Sequence, residues 1–121
     1  MKYILPFVKV KKLKYGNTKT VYGDEVYDSK KEARKARELD TLKKGKVIKD
    51  WQPHYKISID INGKHICNIF PDFYVEWKNG DKELIEIKSS VTMTSVWRLK
   101  RLLLEATYLL EHPDIKYTVE S

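Results

Sequence analysis

From Tyr55 to Ile61 the chain alternates without a break. Tyr55, Ile57, Ile59 and Ile61 fall on one side, Lys56, Ser58 and Asp60 on the other. Strict period two over that length specifies a half-buried β-strand, and Asn62-Gly63 directly after it is a strong hairpin turn. The partner is predicted over His65 to Trp77, interrupted by Pro71, and after Asn79-Gly80 a third strand runs from Glu83 to Lys88. The rest of the fold must be arranged around this meander. Upstream, Thr18–Tyr22 and Glu25–Tyr27 flank Gly23-Asp24, a short hairpin signal, and residues 3–15 read as an extended arm. Ser29 and Glu32 form a capping box that opens a helix running to about Gly45. A second helix is expected from about Thr94 to Glu111, with Val96, Leu99, Leu103, Ala106 and Leu110 in a regular apolar stripe; Pro113 ends it, and Ile115 to Val119 makes a last strand. This order predicts an α+β layered fold, a mixed sheet flanked by two helices with an N-terminal hairpin and arm.

The 121 residues are one domain's worth of chain, read as residues 1–27 (arm and hairpin) and 28–121 (core), with no linker or repeat between them. Cys67 is the single cysteine, so no internal disulfide can form, which points to a reducing compartment. No apolar run approaches the roughly 20 residues of a membrane span. Met1 to Phe7 is too short an apolar stretch for a signal peptide. The expected location is cytoplasmic, in a bacterium or a phage-infected host, with no membrane partner and no organic cofactor.

Charge is divided unevenly along the chain. Residues 1–49 hold 15 Lys/Arg against 6 Asp/Glu, and residues 50–121 hold 9 against 11. A basic excess confined to one part of a chain is an electrostatic footprint for a polyanion, most often nucleic acid. The bland alternative is simple solubility.

Three acidic positions stand out. Glu32 lies in the middle of its helix's apolar face, flanked by Ala36 and Leu39 within about 40°. A carboxylate there is costly unless a partner, a metal or a water-filled cleft receives it, although a capping box would also account for it. In Leu84-Ile85-Glu86-Ile87-Lys88, Glu86 and Lys88 share one strand face; an ordinary surface ion pair is the competing explanation. Pro71-Asp72 interrupts the apolar stretch Ile69–Val75, where proline marks an edge, a bulge or a strand start.

Taken in order, a helical Glu32, then Pro71-Asp72 on a strand, then Glu86-Ile87-Lys88 on the next resembles the PD-(D/E)XK (restriction-like) nuclease superfamily. More narrowly the chain looks like its small phage endonucleases, including Holliday-junction resolvases. The resemblance runs from about Thr18 to Tyr108 and includes Tyr27 to Ala33, Gly45 to Ile48, Trp51-Gln52-Pro53 and Pro71-Asp72-Phe73. It implies a restriction-endonuclease-like fold and a metal-dependent DNA endonuclease acting on branched DNA, as in Holliday-junction resolution during recombination, as a homodimer. It further implies that Asp72 and Glu86 bind Mg²⁺, with Mn²⁺ able to substitute, beside the backbone carbonyl of Ile87. Glu32 would complete the acidic cluster, and Lys88 would sit against the attacking water or the scissile phosphate. Hydrolysis of a phosphodiester suits such a set: hard oxygen ligands match Mg²⁺, and a neighbouring cation offsets developing charge.

DNA contacts are expected from Lys30, Lys31, Arg34 and Lys35 around Glu32, and from Arg98, Lys100 and Arg101 on the second helix. Gln52 at the cleft border and Lys9, Lys11, Lys12 and Lys14 in the arm are further candidates. Some of these must be plain solvated helix faces. His54, His65 and His112 share no metal-ligand spacing, and Cys67 and Trp51 are expected to pack. Two other functions stay open: a non-catalytic DNA-binding module of this fold, or a nuclease for linear duplex or single-stranded DNA. An assembly protein whose carboxylates are only caps and ion pairs is a further rival.

The nuclease reading makes one geometric demand. If Asn79-Gly80 were a plain two-residue turn, Asp72 would face Ile87 and point away from Glu86, because a one-residue slip flips every side chain. If the loop is Lys78-Asn79-Gly80, with Gly80 left-handed, Trp77 faces Asp81 and Asp72 lies opposite Glu86. A bulge near Pro71 would serve equally. An odd offset is therefore expected.

Overall fold

The computed structural model describes residues 9–12, 18–89 and 92–121, with side chains from Lys19 onward. Nine strands and three helices occur among the described residues: β1 (Lys9–Lys12), β2 (Thr18–Tyr22), β3 (Glu25–Tyr27), α1 (Lys30–Lys44), β4 (Ile48–Pro53), β5 (Ile57–Ile61), β6 (Lys64–Ile69), β7 (Phe73–Trp77), β8 (Lys82–Ile87), α2 (Ser95–Ala106), α3 (Tyr108–Glu111) and β9 (Ile115–Glu120). The fold is α+β, as expected.

The centre is a four-stranded sheet in the order β4-β7-β8-β9, antiparallel except for the parallel pair β8/β9. A parallel neighbour needs a crossover, and α2 and α3 supply it. β8 is the most buried strand because it is covered on both faces, with Leu84, Ile85, Glu86 and Ile87 all enclosed. On one face Ile85, Ile87, Phe73 and Val75 pack against Ala33, Ala36 and Leu39 of α1 and Tyr22 and Tyr27 of the N-terminal hairpin. On the other, Leu84 meets Leu104 of α2 and Ile57, Ile59 and Ile69 of the β5/β6 hairpin. Each aliphatic chain so enclosed contributes roughly 1.5–3 kcal/mol of burial.

α1 begins where the capping residue lies: Ser29 Oγ accepts the Glu32 N–H at 3.1 Å. Its end differs in detail from expectation. Gly45 keeps φ −78, and Lys46 takes the left-handed conformation at φ 60. The Lys46 N–H donates to Lys43 O and the Val47 N–H to Leu42 O, which satisfies the last carbonyls.

Three other expectations are corrected. β4 is a strand where none was predicted; a bulge between Ile48 and Asp50 breaks its alternation. The three-stranded meander is instead split, because β5 and β6 pair only with each other while β7, beyond Pro71, joins the central sheet. The second helix is interrupted at Thr107. Its apolar stripe does not face the core: Leu104 is buried and Leu103 half-buried, whereas Val96, Leu99 and Leu110 are 63%, 59% and 73% exposed. No helix of the described residues is long and apolar enough to cross a membrane.

Candidate active site

The β7/β8 register is the deciding feature. Phe73 pairs with Ile85, Tyr74 with Leu84 and Glu76 with Lys82, so continuing the ladder sets Asp72 opposite Glu86. The loop is the three-residue form: the Trp77 N–H donates to Asp81 O at 2.8 Å, the Gly80 N–H to Trp77 O at 3.0 Å, and Gly80 sits at φ 95. Glycine accepts that angle at no steric cost. The offset required for two carboxylates on one face is thus present without a bulge at Pro71.

Around this pair the side chains converge at the C-terminal end of β8. The Ile87 N–H donates to Asp72 Oδ2 at 2.7 Å, so at Ile87 it is the amide that holds the carboxylate. Lys88 Nζ lies 3.9 Å from Glu86 Oε2, and Trp97 Nε1–H from α2 donates to the same oxygen at 3.2 Å. Glu32 reaches the cluster from α1, on the opposite side of the sheet, and its Oε2 accepts the Asp28 N–H at 3.3 Å. The capping box is thereby made in one direction only, since this carboxylate bonds Asp28 and not Ser29.

Electrostatics bind the cluster into one unit. Burial and then the neighbouring Asp72 push the Glu86 carboxyl up to about 7, opposed by Lys88 and the Trp97 hydrogen bond. Burial, then Asp72 and Asp28, push Glu32 to about 7, opposed by the Asp28 amide and Lys88. Asp72 is also raised, chiefly by burial, with the Ile87 N–H and Lys88 pulling it down. Asp72 is the common neighbour of both glutamates. Burying three carboxylates with one lysine leaves an excess of negative charge, which is costly until a cation arrives.

Among the described residues, no three His, Cys, Asp or Glu side chains form a group that could hold a metal ion. Asp72 and Glu86 nevertheless fit Mg²⁺ chemically, since that ion keeps several waters and binds through one or two carboxylates. Glu32, expected as a third ligand, is instead turned to the Asp28 amide.

Two clefts meet at Lys88. The larger, about 470 Å³, is lined by Asp28, Lys31, Glu32, Ile87, Lys88 and Ser89. The second, about 250 Å³, runs from Glu86 and Lys88 to Phe70, Trp97, Lys100 and Arg101. Lys31 therefore opens onto the site, Arg34 borders an adjoining groove with it, and Lys30 is exposed nearby. Lys35 is placed otherwise than expected. Its ammonium is held by Glu120 of β9 at 3.0 Å and Glu38 at 3.6 Å, and its side chain is only 13% exposed, so it is committed to the fold. Lys100 and Arg101 line the second cleft, whereas Arg98 is exposed on α2 away from it. Gln52 is exposed on β4 opposite Tyr74, on the same sheet face as Asp72. The side chains of Lys9, Lys11 and Lys12, and all of Lys14, lie outside the described residues.

Sequence reasoning overlooked Trp97 and set His54 aside as an ordinary surface or sheet residue. Trp97 precedes the basic residues of α2 and, as an isolated aromatic, carries no motif. The His54 N–H donates to Asp72 O at 3.0 Å, and its left-handed backbone (φ 52) follows directly on the unpredicted β4. The other expected packing residues behave so: Trp51 Nε1–H donates to Asp40 at 3.1 Å beside the core, and Cys67 packs half-buried against the second core.

Residues 12–119 match a family described as "Protein of unknown function (DUF1064)". The chain belongs to this family. No curated protein sequence and no solved structure shows significant similarity to it.

Proposed function

We propose that this DUF1064 protein is a metal-dependent DNA endonuclease of the PD-(D/E)XK type, selective for branched DNA. The observation that carries the reading is the β7/β8 register, which brings Asp72 opposite Glu86 with Lys88 on the same face. That is the constellation the sequence resemblance requires, and a register one residue different would have dispersed it.

Asp72 and Glu86 would hold Mg²⁺ or Mn²⁺, with Ile87 and Trp97 fixing one oxygen of each carboxylate. The ion, when bound, lowers the pKa of a water and offsets charge on the phosphate. Lys88, at the junction of both clefts, donates to a phosphate oxygen as negative charge develops there. Glu32 borders the larger cleft and can accept a proton from water, being poised near neutrality. Lys31, Arg34, Lys100 and Arg101 grip the backbone on either side. So small a surface offers little sequence readout, which favours recognition of DNA shape. Cutting both strands of a junction takes two such sites, hence a homodimer. The exposed stripe Val96, Leu99 and Leu102 is an apolar surface suited to that contact.

A second reading, a DNA-binding module that does not cut, has one observation in its favour: Glu32 is turned to Asp28 and no three-carboxylate group forms among the described residues. Incubation with junction, flap, duplex and single-stranded DNA separates the two. The expected result is cleavage of branched DNA with Mg²⁺ or Mn²⁺ and none with Ca²⁺ or chelator. Binding of all four without cleavage of any would favour the module. Full activity in excess chelator would remove the metal mechanism.

A further inference from the structure

Phe70 is 55% exposed although it lies between buried Ile69 and buried Pro71, two residues from Asp72. Its exposure does not come from a slack backbone. The residue before a proline is confined to extended conformations, and Pro71 is among the most fully enclosed side chains. The ring forms one wall of the 250 Å³ cleft that ends at Glu86 and Lys88. The same cleft is lined by a cation held in place. The Arg101 guanidinium lies 5.6 Å from the centre of the Trp97 ring and 5.9 Å from that of Tyr117, and Glu105 accepts its Nε–H at 3.0 Å. Lys100 lines the same cleft. An exposed aromatic ring sharing a cleft with a held guanidinium and a lysine suits a ligand that carries both a flat π-face and an anionic group.

We infer that this cleft holds one unpaired nucleotide beside the carboxylate cluster, its base stacked on Phe70 and its phosphate turned to Lys100 and Arg101. A base inside a duplex is stacked on both faces and cannot offer itself to Phe70, so the cleft selects DNA whose strand is open next to the cut. At about 250 Å³ it is smaller than the roughly 300–1,000 Å³ of drug-sized sites, in keeping with a single base and not a helical segment. This rests on the nuclease reading for the meaning of the neighbouring carboxylates, but the subsite itself is a matter of binding.

The test compares binding, in Ca²⁺ without cleavage, of a short oligothymidylate and an abasic oligomer of equal length and charge. Wild type is expected to prefer the base-bearing oligomer by about tenfold or more, the usual effect of one stacked base. Phe70→Leu, which keeps an apolar side chain without a π-face, should lose that preference, and Phe70→Tyr should keep it. No preference in wild type, or an undiminished one in Phe70→Leu, would overturn the subsite. Cleavage by the same wild-type protein in Mg²⁺ is scored separately: a Phe70-dependent base preference without cleavage leaves the subsite standing and removes the nuclease reading. Cleavage without base preference does the reverse.

Discussion

The amide of Ile87 donates to Asp72 Oδ2 across the β7/β8 pair at 2.7 Å, so the strand that carries Glu86 also fixes the carboxylate opposite it. Neither acid is free to turn away from the other, since Trp97 holds Glu86 in turn, although Asp72 raises the cost of charge on Glu86.

Removing either carboxylate should stop the chemistry without releasing DNA. Asp72→Asn and Glu86→Gln are expected to slow cleavage at least about a hundredfold, the scale of losing a principal electrostatic element of a site. Affinity for junction DNA in Ca²⁺ should change little, because Lys31, Arg34, Lys100 and Arg101 are untouched. Single-turnover cleavage and gel-shift measurements check both halves, and near-normal turnover in either variant would contradict the assignment.

Stability without metal should fall as pH rises. Glu32 and Glu86 titrate near 7 in the folded chain against an ordinary value of 4.5, so the folded state holds these protons more tightly than the unfolded. The resulting stabilisation is fully present below about pH 4.5 and is lost as pH rises to about 7. Thermal melts in chelator at intervals across that window should show a declining midpoint. Glu86→Gln should flatten the decline, and added Mg²⁺ should raise the midpoint more at neutral than at acid pH. A level profile in the wild type would speak against the buried acidic cluster.

The lysines of α1 should divide by role. Neutralising Lys30, Lys31 and Arg34 together should make the salt dependence of DNA binding shallower, by somewhat under one unit of log–log slope per lost phosphate contact. Lys35→Gln should leave that slope alone and instead cost about 1 kcal/mol in a urea titration, because it unties Glu120. Should Lys35→Gln change the slope as much as the triple variant, the distinction fails.

Leu99→Glu should dissociate the proposed dimer while preserving the fold, as Leu99 is 59% exposed and buries nothing within its own chain that the structure requires. Sedimentation velocity would show a dimer for wild type and a monomer for the variant. A monomeric wild type throughout the accessible concentration range would withdraw the dimer.

How far all this was readable in advance varies with the physics at each residue. The hairpin turns, the Ser29 cap and the buried position of Glu32 follow from local rules, and the structure bears them out. Strand β4 was hidden because the bulge between Ile48 and Asp50 destroys the period by which strands are recognised. The α2 stripe misled for a different reason. An apolar face announces burial against something, and α2 turns Leu104 and Trp97 inward, leaving Val96 and Leu99 outside. At the end of α1 a glycine was visible, but Lys46, one position later, takes the left-handed turn, at a cost that no composition rule registers. Trp97 was invisible because its relevance comes from a hydrogen bond between a helix and a strand, across 11 residues of chain.

The loop Lys78-Asn79-Gly80 has an implication for how natural variation in this family should be interpreted. It is exposed, touches no substrate in the arrangement proposed, and lies at the opposite end of β8 from Glu86. By ordinary criteria it would be dismissed as a tolerant tip. Yet whether Lys78 belongs to the loop or pairs with Asp81 decides whether Asp72 and Glu86 meet. A substitution that let Asn79-Gly80 close alone as a two-residue turn would leave every catalytic letter intact in an alignment and still yield an inert protein. Homologues should be sorted by which residues of this turn are paired before they are sorted by the presence of the acids.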